Sequence, residues 1–135
     1  MIRITVTGDC VPAARPRFSG HAYQPKRNRE YRAKVQASAY SAMAIAGHEP
    51  MTGELSAVVK LYRRYKTTAR IFGDVDNHLK SLFDGLNGIV FADDSQIVQC
   101  EVSKHTDKKN PRAEIEIRKV VNQNETKSKA RKVLS

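Results

Sequence analysis

The sequence predicts an α/β or α+β domain, a small mixed β-sheet of about four strands packed against two main helices. Three observations predict it. Apolar and polar residues alternate in four separate segments, the period of a half-buried strand. Two further segments repeat apolar residues every three or four positions, the period of an amphipathic helix. The order strand, helix, strand, helix, strand, strand then implies helical crossovers with parallel or mixed pairing among the first three strands. It also implies an antiparallel hairpin at the end.

Each element has its own signal. Ile2, Ile4 and Val6 alternate with Arg3, Thr5 and Thr7, giving the first strand. From Gly8 to Lys26 the chain is irregular, because Pro12, Pro16, Pro25 and Gly20 forbid a helix. This loop interleaves Arg15, Arg17, Lys26 and Arg27 with Phe18 and Tyr23. The cations suit a nucleic-acid backbone, and the rings either stack on a distorted base or pin the loop to the core. A helix follows over about Arg27 to Ala46, with Tyr31, Val35, Ala39, Ala42 and Ala46 at helical spacing and Gly47 and Pro50 ending it. Its first turns hold Arg27, Arg29, Arg32 and Lys34. Cations at the positive end of a helix dipole are poorly placed unless a phosphate binds there.

Leu55, Ala57, Val59 and Leu61 mark the second strand, and Arg63, Arg64, Lys66 and Arg70 a basic loop after it. Leu79, Leu82, Phe83 and Leu86 form the apolar stripe of the second helix, with Asp76 or Asn77 as N-cap and Asn87-Gly88 as its stop. Val98, Cys100 and Val102 alternate with Gln99, Glu101 and Ser103 as the third strand. Ala113, Ile115 and Ile117 make the fourth, antiparallel to the third through the turn at 105–111.

The 135 residues suffice for one domain, expected over 1–120, and the polar, basic stretch 121–135 reads as a mobile tail. Lys and Arg number 24 against 14 Asp and Glu, a formal net charge of +10. Such a balance points to an anionic partner, foremost a nucleic acid. No apolar run approaches the ~20 residues of a membrane span, and no signal-peptide pattern opens the chain. Cys10 and Cys100 are isolated thiols, which fit a reduced cytoplasm better than a disulfide scaffold. His21, His48, His78 and His105 are too scattered for a zinc site.

Against this basic background, 73–97 concentrates Asp74, Asp76, Asp84, Asp93 and Asp94. Asp74 and Asp76 would leave an extended backbone on one face. The chain leaves them as a helix and returns at Asp93-Asp94, so that Asp94 can come back to Asp74 and Asp76. Hard divalent cations such as Mg²⁺ take oxygen ligands of this kind. Asp74, Asp76 and Asp94 are the expected ligands of one or two ions, with Asp93 and Asp84 as further or water-mediated partners. Lys80 lies one helical turn from Asp76, placed to stabilise charge developing on a phosphate. Lone Asp-x-Asp-Asn runs are more often turn and cap chemistry. It is the added acids, the Lys and the basic surroundings that favour a metal.

The run Asp74-Val-Asp-Asn-His-Leu-Lys80, then Leu82-Phe83-Asp84-Gly85-Leu86-Asn87-Gly88, then Asp93-Asp94-Ser95-Gln96-Ile97, resembles the signature of RusA-type Holliday junction resolvases. These are small, often prophage-encoded endonucleases. The likeness extends to Pro16-Arg17-Phe18, Tyr23-Gln24-Pro25-Lys26 and Tyr31, and covers roughly 2–118. It implies a RusA-like fold, a homodimer, and Mg²⁺-dependent resolution of four-way DNA junctions in recombination and repair. It also implies Asp74, Asp76, Asp94 and Lys80 as the catalytic set, and leaves Asp93 and Asp84 unassigned. For the cations the expected role is DNA contact by Arg15, Arg17, Lys26, Arg27, Arg63, Arg64, Lys66 and Arg70. Two rivals stand beside this reading: a Mg²⁺-dependent flap or single-strand nuclease, and a basic nucleic-acid binding module without catalysis.

Overall fold

The computed structural model describes residues 1–13, 25–47, 49–64 and 71–120, with 71–74 described by backbone alone. Arg15, Arg17, Phe18, Tyr23, Lys66, Arg70 and the tail 121–135 lie outside the described residues.

Alternation governs the strands. In β1 (Ile2–Thr7) every second residue is buried, and the same pattern recurs in β2 (Leu55–Arg63) and β4 (Arg112–Lys119). Ile2, Ile4, Val6, Leu55, Ala57, Val59, Leu61, Ala113, Ile115 and Ile117 thereby pave one face of a four-stranded sheet. On that face lie α1 (Lys26–Ala46), through Tyr31, Val35, Ala39 and Met43, and α2 (Ile71–Leu86), through Leu82, Phe83 and Leu86. The architecture is the α+β arrangement expected, a mixed sheet with two helices. The helix ends also follow the sequence: Gly47 adopts the left-handed conformation after α1 (φ 66°), and Gly88 the same after α2 (φ 80°).

The strand order is β1-β4-β2-β3, with β3 spanning Ile97–Thr106. β2 and β3 are parallel, as a helical crossover requires, while β4 runs antiparallel to both β1 and β2. The expected hairpin of third and fourth strands is therefore wrong. β2 lies between them, and the short turn 107–111 passes over the end of β2, anchored by the Asp107 N–H to the Arg63 carbonyl at 2.8 Å. Burial explains the choice: Ala113, Ile115 and Ile117 are at most 2% exposed and demand a central position. The third strand, by contrast, carries Lys104 on its core face and only the polar Gln99, Glu101, Ser103 and His105 on the other, and takes the edge. A register shift opposite Leu55/Ser56 inserts one extra residue into β3, and Val98 ends 50% exposed where the sequence pattern had it on the apolar face.

Cys10 is buried and Cys100 exposed, both as free thiols. Among the described residues no helix is long and apolar enough to cross a membrane.

Candidate active site

The helix that carries the acidic segment begins earlier than its capping pattern suggested. α2 is already helical at Ile71, so Asp74 and Asp76 sit within it and neither Asp76 nor Asn77 is its N-cap. Positions two apart on a helix differ by about 200° around the axis, which removes the shared-face argument for this pair. What the helix does align is every fourth position. Asp76 and Lys80, both exposed, and the half-buried Asp84 form a ridge with about 6 Å of rise between neighbours. The opposite side, with Leu82, Phe83, Leu86 and a 1% exposed His78, is buried.

The return from α2 is rigid. Ile89, Val90 and Phe91 are buried, the Met51 N–H donates to the Val90 carbonyl at 2.7 Å, and the Gly88 N–H donates to that of Phe91 at 2.7 Å. The chain then turns through a short 3-10 segment, Asp94–Gln96. Gln96 holds that turn. Its amide N–H groups donate to the carbonyls of Met51 (3.1 Å) and Gly53 (3.0 Å), and its side-chain oxygen accepts from the Asp93 N–H at 3.1 Å. Gln96 is a residue to which sequence reasoning gave no role, although a Gln three positions after an Asp is the pattern of a capping box.

Three carboxylates influence one another electrostatically here: Asp93, Asp94 and Asp84. Ser95 Oγ donates to Asp93 at 2.6 Å and holds that carboxyl below its ordinary value. Asp94 moves the other way: burial pushes its carboxyl up, and the charges of Asp93 and then Asp84 push it further. The like-charge part of that shift, second to burial, is one a bound cation would relieve. Asp76 is two turns of α2 from Asp84, about 12 Å along the axis. Among the described residues no three His, Cys, Asp or Glu side chains are grouped closely enough to hold a metal ion.

The cations divide likewise. Lys26 and Arg27 are exposed on the first turn of α1, which follows Pro25, contains no acidic residue and has no side-chain cap. Lys26 lies 3.8 Å from Glu30, a surface pair of little energetic weight. At the end of β2, Arg63 is half-buried and Arg64 exposed, its Nε 3.8 Å from Asp9.

A sequence model for the endodeoxyribonuclease RusA family matches residues 7–118 of the chain, from the end of β1 through most of β4. The uncharacterised protein YqaN of Bacillus subtilis (strain 168) is 31% identical over 144 residues, covering 88% of this chain and 96% of YqaN.

Proposed function

The chain belongs to the RusA endodeoxyribonuclease family, a nuclease acting on DNA, and from that premise we propose that it cuts four-way junctions with Mg²⁺ in recombination and repair. The observation that carries this reading is the charge pattern at Asp94. In a chain of net charge +10, the Asp94 carboxyl is raised by burial and then by the charges of Asp93 and Asp84, on a turn held by Gln96. The residue types suit the ion, being all-oxygen and anionic, and Lys80 is exposed on α2 one turn from both Asp76 and Asp84. Asp74, Asp76 and Asp94 would hold it, with Asp93 and Asp84 close by. When bound, Mg²⁺ supplies Lewis acidity at the scissile phosphate and a more acidic water.

The chain's own residues do the rest. Lys80 offsets charge developing on the phosphate. Lys26, Arg27, Arg63 and Arg64 grip neighbouring phosphates, as would Arg15, Arg17, Lys66 and Arg70, so that a branch is recognised by shape and backbone charge. A junction has two-fold symmetry, and a homodimer presents two sites to it. The catalytic unit is the single domain 1–120, and 121–135 is an appended basic tail.

The test is a labelled mobile four-way junction incubated with wild type, Asp74→Asn, Asp94→Asn and Lys80→Ala, with and without Mg²⁺. Expected are paired symmetric nicks by wild type with Mg²⁺ alone. The Asp variants should not cut but should bind the junction as tightly or more tightly, and Lys80→Ala should lose rate far more than binding. Cutting confined to flap or single-stranded controls would replace the junction by those substrates. Undiminished cutting by both Asp variants would remove the site.

A further inference from the structure

The helix-free face of the sheet carries a row of side chains that the cutting site does not use. Tyr62 of β2 pairs across the sheet with His105 of β3 on one side and Arg112 of β4 on the other. The three stack like cards. The Arg112 guanidinium lies 3.8 Å from the Tyr62 ring centroid, and the His105 ring stacks on Tyr62 at 4.8 Å with 23° between planes. Both ends of the row are fixed. Arg112 Nη1 donates to Asp107 Oδ2 and to the Asn110 carbonyl, each at 2.9 Å, and its Nε lies 3.4 Å from Glu114. His105 Nε2 lies 2.8 Å from Ser103 Oγ.

Both faces of Tyr62 are thus occupied, and the row ends at His105. β3 is the edge strand, so among the described residues no further strand continues the row there, and His105 is exposed. The turn that follows β3 adds Lys108 and Lys109, both exposed and three and four residues from His105. An aromatic plane already fixed in orientation, with Lys108 and Lys109 on the adjoining turn, suits a base with its phosphates rather than an acidic or apolar peptide. Paired bases in a duplex bury their faces against one another, so the occupant must be unpaired.

We propose that the outer face of His105 is a stacking site for an unpaired nucleobase of DNA, whose flanking phosphates meet Lys108 and Lys109. The identity of the ligand rests on the DNA-nuclease reading; the site itself does not use the carboxylates.

The experiment uses the full chain in EDTA and a short single-stranded oligodeoxynucleotide carrying 2-aminopurine. Stacking quenches its fluorescence. Wild type and His105→Phe should quench, whereas His105→Ala should not, and should bind roughly five- to hundred-fold more weakly. Because His105 is exposed, a retained melting temperature certifies the fold. Lys108→Ala with Lys109→Ala should flatten the log affinity against log salt slope by about 1.4. Undiminished quenching by His105→Ala, loss with His105→Phe, or no binding by wild type would each overturn the proposal. A protein that cuts no DNA yet quenches through His105 would sink the nuclease assignment alone. Normal cutting with His105-independent quenching would sink only the stacking site.

Discussion

Gly85→Ala sets two physical effects of opposite sign against each other. On an isolated helix the change stabilises, since Gly is worse than Ala by about 1 kcal/mol. Here a Cβ on residue 85 would lie 2.5 Å from Val35 Cγ1 and 2.8 Å from Val35 Cβ, with the Arg32 carbonyl at 3.6 Å. Carbon atoms pack at about 3.5–4.0 Å, so α1 and α2 must part by close to 1 Å. Val35 is fully buried in the middle of α1, and a helical Val keeps one strongly preferred rotamer, so its side chain cannot swing aside. Overpacking of this sort costs about 1–3 kcal/mol. Net of the propensity gain, the loss is about 0–2 kcal/mol, a fall in melting temperature of up to roughly 7 °C for a domain this size. The cycle with Val35→Ala isolates the cause: in that background Gly85→Ala should be neutral or stabilising, with a coupling of about 1 kcal/mol or more. Cutting should fall further than stability, because Asp84 rides on α2 whereas Asp94 is tied to the segment at 51–53. A Gly85→Ala protein that melts higher than wild type, with additive effects in the cycle, would refute the close helix contact.

Three further predictions concern charge and the acidic turn. Asp94 has a raised folded pKa, so the folded state holds the proton longer and stability falls as pH rises through that window. Asp94→Asn removes the penalty: at pH 7 without Mg²⁺ it should melt about 2–3 °C higher, a like charge a few ångströms away in solvent being worth at most about 1 kcal/mol. The gain should vanish near pH 3, and an equal gain at both pH values would contradict it. Asp107 behaves in the opposite sense, its carboxyl lowered by the Arg112 hydrogen bond and by the backbone N–H groups of Asn110 and Lys109. Its contribution is present above the ordinary carboxylate value and lost as pH falls through the lowered one, so the gap in urea midpoint between wild type and Asp107→Asn should close on acidification. Gln96→Ala should slow junction cutting at least tenfold while changing the melting temperature by only a few degrees. A rate within twofold of wild type would deny Gln96 its hold on the turn.

How far the sequence could be read depended on whether local pattern or tertiary context decided the outcome. β1, β2 and α1 followed from residues such as Ile4, Val59 and Val35, whose burial matches their periodicity, and Gly47 closed α1 where only a left-handed residue fits. Partner choice in the sheet is not local. Nothing in 98–119 says that β2 will stand between β3 and β4; that follows from which strand has the most apolar surface to hide, and Ile115 and Ile117 outweigh Val98 and Val102. The start of α2 was misplaced because Asp-x-Asp-Asn is an equally good cap or helical first turn in isolation. The electrostatic influence of Asp84 on Asp94 was not legible for the same reason, since it depends on where the helix and the returning turn meet.

The acidic turn gains meaning from what holds it. Burial raises Asp94 most, and the charges of Asp93 and Asp84 add to it; on a free loop that second, like-charge contribution would relax as the carboxylates swung apart. Gln96 prevents that, clamping the turn to the backbone of Met51 and Gly53, while Val90 and Phe91 bury the chain just before it. The fold thus keeps a destabilising charge arrangement that local chemistry would dissolve. Such strain persists where it is overdetermined by its surroundings, and a cation relieves it without moving any of them. If the clamp serves that end, Mg²⁺ at about ten times its dissociation constant should raise the melting temperature of wild type by roughly 4 °C. Gln96→Ala should abolish most of that rise, since a turn free to relax has less repulsion for the ion to neutralise. Equal Mg²⁺ shifts in the two proteins would mean that the clamp and the ion act independently.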